Sequence, residues 1–161
     1  MTRIAFASCF SAQISPSQPV WAWIQAHKPD YLVLLGDSIY LDINSATHPM
    51  LMGDDAFAQH LFERYTAQLA VPEFSQLVQS LGPERTFSIW DDHDFLWNDE
   101  TGAEAWADPS KRSKIVLSSA FQAAFRSALA AGLKPGSFPG AYNDAVFWQG
   151  NHCPWPAASS R

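Results

Sequence analysis

An α/β fold, a parallel or mixed sheet with flanking helices, is predicted by three observations. Short apolar runs at Arg3 to Ala7, Tyr31 to Leu35 and Thr86 to Trp90 have the length of strands. Stretches with apolar residues at helical spacing lie between and after them. Each of the three runs breaks off into a polar or acidic segment, and an open parallel sheet binds its ligands outside those carboxyl ends.

The first run ends at Ser8-Cys9 and opens into the small polar stretch Ser8 to Gln18. Pro19 then precedes Val20, Trp21 and Ile24, the start of a helix of about two turns. Pro29-Asp30 stops it, and Tyr31 to Leu35 follows without alternation, the pattern of a strand covered on both faces. Strand, helix and strand in this order make a βαβ unit. Beyond Asp54 or Asp55 as cap, Phe57, Leu61, Phe62, Tyr65 and Leu69 predict a helix, and Pro72 through Leu81 predicts a second, ended by Gly82-Pro83. Thr86 to Trp90 is β-branched and aromatic, a third strand running into Asp91-Asp92-His93-Asp94. Lys111 to Ala131 reads as a long helix stopped by Gly132 and Pro135. Residues 1–135 are expected to form the domain, and 136–161 an irregular tail with one apolar patch, Ala145 to Trp148.

The 161 residues suit one domain with a real core, and 47% hydrophobic content with 16% charged residues excludes disorder. A net charge of −6 leaves no footprint for nucleic acid or an anionic membrane surface. No apolar run reaches the ~18 residues of a membrane-spanning helix. MTRIAFASCF also lacks the apolar core of a signal peptide, so a cytoplasmic location is expected. Cys9 and Cys153, far apart, do not make a disulfide framework.

Cys9 follows the first strand, Asp37 the second, and Asp92 and His93 the third, which predicts one shared site. Carboxylate, thiolate and imidazole are metal ligands, and Asp37, Asp91, Asp92 and Asp94 together would repel one another without a cation. Taken singly, Cys9 suits a small buried hydrophobe and Asp37 a turn, while Asp91 and Asp92 suit a helix cap. Trp90 and Phe95 flanking the acidic run argue for its partial burial. His27, His48 and His60 are read as surface or helix-face residues, and Arg64 and Arg85 as ion-paired surface residues. Gly150-Asn151-His152 is set aside because no strand of useful length leads into it. No phosphate-cradling glycine loop and no nucleophile-elbow pattern occurs.

Phe6-Ala7-Ser8-Cys9, Leu35-Gly36-Asp37-Ser38-Ile39-Tyr40, Arg64-Tyr65 and Trp90-Asp91-Asp92-His93-Asp94, followed by Asn98-Asp99, cover residues 3 to 100 in order. In them the chain resembles the PhoD-like (alkaline phosphatase D) metallophosphatases, within the calcineurin-like phosphoesterases. The resemblance implies the N-terminal half of an αββα sandwich and a metal-dependent hydrolase of small phosphoesters. It implies two metal ions, iron and calcium or other divalent metals: Asp37 bridges them, Cys9 and Tyr40 ligate the first, and Asp92 ligates the second. His93 then stabilises or protonates the leaving oxygen, with Asp91, Asp94 and Asn98 around it, Asp91 and Asp94 orienting the ring. Family members continue into a later Gly-Asp-x-His-type segment with further ligands. Here the pattern stops near Tyr142, which implies a truncated or frameshifted form with reduced or no activity alone. Two further classes stay open: a non-catalytic single-metal or interaction module, and a purely structural α/β domain.

Overall fold

The computed structural model describes residues 1–140. Its elements are β1 (Ile4–Ala7), α1 (Val20–Ala26), β2 (Tyr31–Leu35), α2 (Asp54–Leu69), α3 (Pro72–Leu81), β3 (Thr86–Ile89), α4 (Asp92–Phe95), α5 (Gly102–Ala107) and α6 (Arg112–Ala130). A 3-10 turn at Pro49–Leu51 precedes α2. The three strands form a parallel sheet in the order β1-β2-β3, with Phe6 beside Val33 and Val33 beside Phe87. All three carboxyl ends therefore point the same way, as the βαβ pattern predicts.

The predicted strands and the four longer helices form within one or two residues of their expected limits. Asp54 and Asp55 sit in the first turn of α2 and Gly53 takes the cap position, a shift of one residue from the expected cap. Acidic side chains there still face the positive helix end. Two short helices are not among the predicted elements, although the alternative reading of Asp91 as a helix cap is met in the first of them. In α4, Asp91 caps a single turn made of the acidic run itself, and α5 is a six-residue helix of mixed polarity with no apolar period to announce it.

One face of the sheet is covered. Leu32 and Leu34 of β2 are fully buried together with Phe57, Leu61 and Tyr65 of α2, Phe74 and Leu77 of α3, and Phe125 and Leu129 of α6. Aromatic rings tie the layer together: Trp21 meets Phe10 edge-on at 4.8 Å and Phe74 at 5.1 Å, and Tyr65 meets Phe125 at 4.9 Å. Phe138 stacks on Phe62 at 6.3 Å, so packing against α2 extends past residue 135, the expected end of the domain.

The opposite face corrects the sequence reading of β2. Among the described residues, no element covers the side bearing Ile4, Phe6, Leu35, Phe87 and Ile89, whose exposures run from 39% to 71%. Burial alternates along β2 and β3, whereas an unalternated apolar strand signals cover on both sides. The residue types are those of a doubly covered sheet, and the described helices supply one layer.

Candidate metal centre

The site begins with the backbone just past β1 and β2. Cys9 and Asp37 both have left-handed φ, 57° and 53°. Their main chains continue to pair beyond the strands: Cys9 N–H donates to Gly36 O at 3.3 Å and Phe10 N–H to Asp37 O at 3.0 Å. Non-glycine residues are uncommon in this region of backbone space, and two of them at adjacent strand ends mark the loop for closer inspection. The pairing places the Cys9 thiol 3.4 Å from Asp37 Oδ2, which also accepts from the Tyr40 hydroxyl at 3.1 Å. Asp37 Oδ1 is buried with no hydrogen-bond partner among the described residues.

The end of β3 docks on this loop through Asp94, which is fully buried. Asp94 Oδ1 accepts from the N–H groups of Ser38 at 2.9 Å and Ile39 at 3.2 Å, and Oδ2 accepts from Asp91 N–H at 3.1 Å. Burial pushes its carboxyl up to about 7, against the opposing pull of these N–H donors. Asp94 thus fastens the β2 loop to the α4 cap.

Asp92 Oδ1 accepts from His93 N–H at 3.0 Å and Oδ2 from Asp99 N–H at 2.6 Å. Asp37, Asp92 and His93 each present one ligand atom, all within 4.8 Å of one another. Three candidate donors thus converge from two strand ends, and Cys9 and Tyr40 add two more on the Asp37 side. The ion pairs among the described residues are His93 with Asp42, Lys111 with Glu100 and Lys114 with Asp54, so no lysine or arginine pairs with Asp37 or Asp92.

Burial, then the charges of Asp37 and Cys9, hold the Tyr40 phenol well above its usual range. Three groups that share one negative region, one of them with an orphaned buried oxygen, fit a cation. A thiol, a phenol and carboxylates supply both the hard and the soft donors a transition metal takes.

The His93 ring is held from behind. Its Nδ1 lies 2.8 Å from Asp42 Oδ1, and Asp42 Oδ2 accepts from Asn98 N–H at 3.1 Å. A carboxylate only accepts, so Nδ1 carries the proton and Nε2 holds the lone pair of the neutral ring. The Tyr40 ring packs on His93 at 4.3 Å. Burial raises the Asp42 carboxyl, but the Asn98 N–H and His93 outweigh it and hold the group below its usual value.

Cys9, Asp37, Asp92 and His93 stand at neighbouring strand ends as their positions predict, and Tyr40, which the resemblance adds, bonds to Asp37. The orienting roles do not: Asp94 bonds to backbone N–H groups and Asp91 caps α4, so neither holds the His93 ring. Asp42 takes that role, and Asn98 reaches the ring only through its main-chain bond to Asp42. Asp42 escaped the sequence reading because it follows no strand. Its signal was a lone acid inside the apolar stretch Ile39-Tyr40-Leu41-Asp42-Ile43. Arg64 is likewise buried at 7% exposure and bound to carbonyls, rather than ion-paired at the surface. Arg85 is stacked over Tyr31 at 5.8 Å. His152, Cys153 and the patch Ala145 to Trp148 lie outside the described residues.

No helix among the described residues is long and apolar enough to cross a membrane. No protein-family model, curated protein or solved structure matches this chain.

Proposed function

We propose that these residues form a two-cation centre that hydrolyses small phosphoric esters, and that the α/β layer is half of a metallophosphoesterase sandwich. The single observation that carries this is the position of Asp37. One of its oxygens gathers Cys9 and Tyr40, and its carboxylate also stands in the Asp37, Asp92 and His93 group. A carboxylate shared by two donor sets is what a bridging ligand requires.

In this reading Cys9, Asp37 and Tyr40 hold the first cation, for which thiolate and phenolate donors favour iron. Asp37 and Asp92 hold the second, a calcium ion. When bound, the pair supplies positive charge at both the attacking and the leaving oxygen of an in-line displacement. His93, fixed by Asp42, stands ready to stabilise or protonate the leaving oxygen. Asp94 keeps the two loops at a fixed distance, so the donors are organised before any ligand arrives.

A second reading, a non-catalytic single-cation module, is favoured by the fact that Asp37, Asp92 and His93 meet within 4.8 Å as one compact group without Cys9 or Tyr40. Elemental analysis of freshly purified protein, beside hydrolysis of an aryl phosphate monoester and diester with and without added calcium, separates the two. Two ions per chain with turnover supports the hydrolase. One ion without turnover supports the module, and no ion with unchanged behaviour of Asp37→Asn overturns both.

A further inference from the structure

We infer that Arg64 and His60, one turn apart on α2, are positioning residues that set the His93 ring through Asp42. Their importance to catalysis rests on the hydrolase reading; the geometric claim does not. The 41–44 segment carries Asp42 in a stretch with no regular secondary structure. Three of its carbonyls are bound from α2. His60 Nε2 lies 2.8 Å from Leu41 O, and Arg64 Nη2 donates to Ile43 O at 3.1 Å and Asn44 O at 3.2 Å. The anchors therefore bracket Asp42 on both sides.

A carbonyl only accepts, so His60 Nε2 carries its proton and donates to Leu41. That nitrogen cannot also accept from Arg64 Nε, 3.4 Å away. Nη2 of the Arg64 guanidinium carries both of its bonds to this segment, to the Ile43 and Asn44 carbonyls. Among the described residues no carboxylate makes ion-pair contact with this guanidinium; burying it is costly, and hydrogen bonds from a charged donor are the strong ones that offset the cost. Asn44 itself has a left-handed φ of 54°, a conformation that persists only where its surroundings hold it.

Asp42 has both oxygens engaged by the far wall of the site, His93 Nδ1 on one and Asn98 N–H on the other. The 41–44 segment is therefore a strut with α2 at one end and the catalytic histidine at the other. Releasing the α2 end lets Asp42 move, and the His93 ring then loses the acceptor that fixes its tautomer.

Nitrogen-15 NMR of the histidine side chains in the full, metal-free chain, at a pH where the rings are neutral, reads this directly. The unmodified protein is expected to show a single Nδ1–H tautomer at His93. Asp42→Ala and Arg64→Met should each replace it with a two-tautomer average, Arg64→Lys should restore part of the single signal, and His60→Leu should act in the same direction as Arg64→Met. If Asp42→Ala shifts the tautomer while Arg64→Met and His60→Leu leave it unchanged, the strut is overturned. An unaltered tautomer in Asp42→Ala overturns it as well. Should Arg64→Met fail to fold, Arg64→Lys and His60→Leu carry the same test. Neither result depends on metal loading or turnover, so failure here is distinct from failure of the hydrolase reading.

Discussion

A Cβ placed on Gly36 would stand 2.6 Å from the Asp91 Cβ and 2.8 Å from the Asp91 nitrogen. The end of β2 can pass the end of β3 at this distance only because residue 36 has no side chain, and the φ of +99° there suits glycine as well. Closeness at this point is what lets Asp94 reach across to Ser38 and Ile39. Gly36→Ala is expected to lose about 3 kcal/mol or more of stability, from backbone strain plus the clash with Asp91. Urea unfolding checks it, and a loss below about 1 kcal/mol would mean the two loops separate at little cost.

Asp37→Asn tests the cation site apart from the fold. The amide oxygen still accepts from Cys9 and Tyr40, while one charge leaves the acidic group around Asp92. Stability of the metal-free chain should change by no more than about 1 kcal/mol. Added cation should raise the melting temperature of the unmodified protein and not that of the variant, since a ligand stabilises only the state that binds it. Equal shifts in both proteins would remove Asp37 from the ligand set.

The sequence made the sheet and the edge that carries the candidate site legible because strand runs, their breaks and the chemistry of the residues after them are local signals. Cys9, Asp37, Asp92 and His93 could be placed together from the parallel topology alone. Their supports could not. Asp42 reaches His93 across 51 positions and Asp94 reaches Ser38 across 56, contacts set by how irregular loops pack. Arg64 was misread for a related reason. A charged residue on a helix is surface by default, and only the carbonyls of a loop twenty positions away justify its burial. For the short helix α4 only the cap was legible, in the alternative reading of Asp91, because its one turn rests on a reciprocal Asp91 and Asp94 cap with no apolar period to mark its length.

Asp94 gives the metal-free protein an unusual pH dependence. Burial raises its carboxyl from the ordinary 3.8 to about 7, so between these values the folded state binds more proton than the unfolded one. Stability from this group is therefore complete below about pH 4 and is lost as pH rises toward 7. The limiting slope is about 1.4 kcal/mol per pH unit. Asp94→Asn, less stable because its amide nitrogen faces the Asp91 N–H or the Ser38 N–H, should lack this fall. Melting curves of both proteins from pH 5 to 8 compare the slopes, and parallel curves would assign Asp94 an ordinary carboxyl.

The side of the sheet that no element among the described residues covers is expected to set the solution behaviour of this chain. Phe6 at 71% and Phe87 at 53% exposure flank the half-buried Val33, with Ile4 and Ile89 completing a continuous apolar surface over three strands. A large contiguous apolar patch on a soluble protein marks an interaction or association site. The unmodified chain should bind an apolar fluorescent dye strongly and self-associate as its concentration rises. Phe6→Ser with Phe87→Ser should cut both effects. The pair should change stability by no more than about 1 kcal/mol, because two side chains more than half exposed give up little buried area on replacement. Dye titration beside size exclusion at several concentrations measures this. A monomer with no dye signal would mean the face is covered in solution, and the serine pair would then destabilise the fold by several kcal/mol, as large-to-small changes in a closed core do.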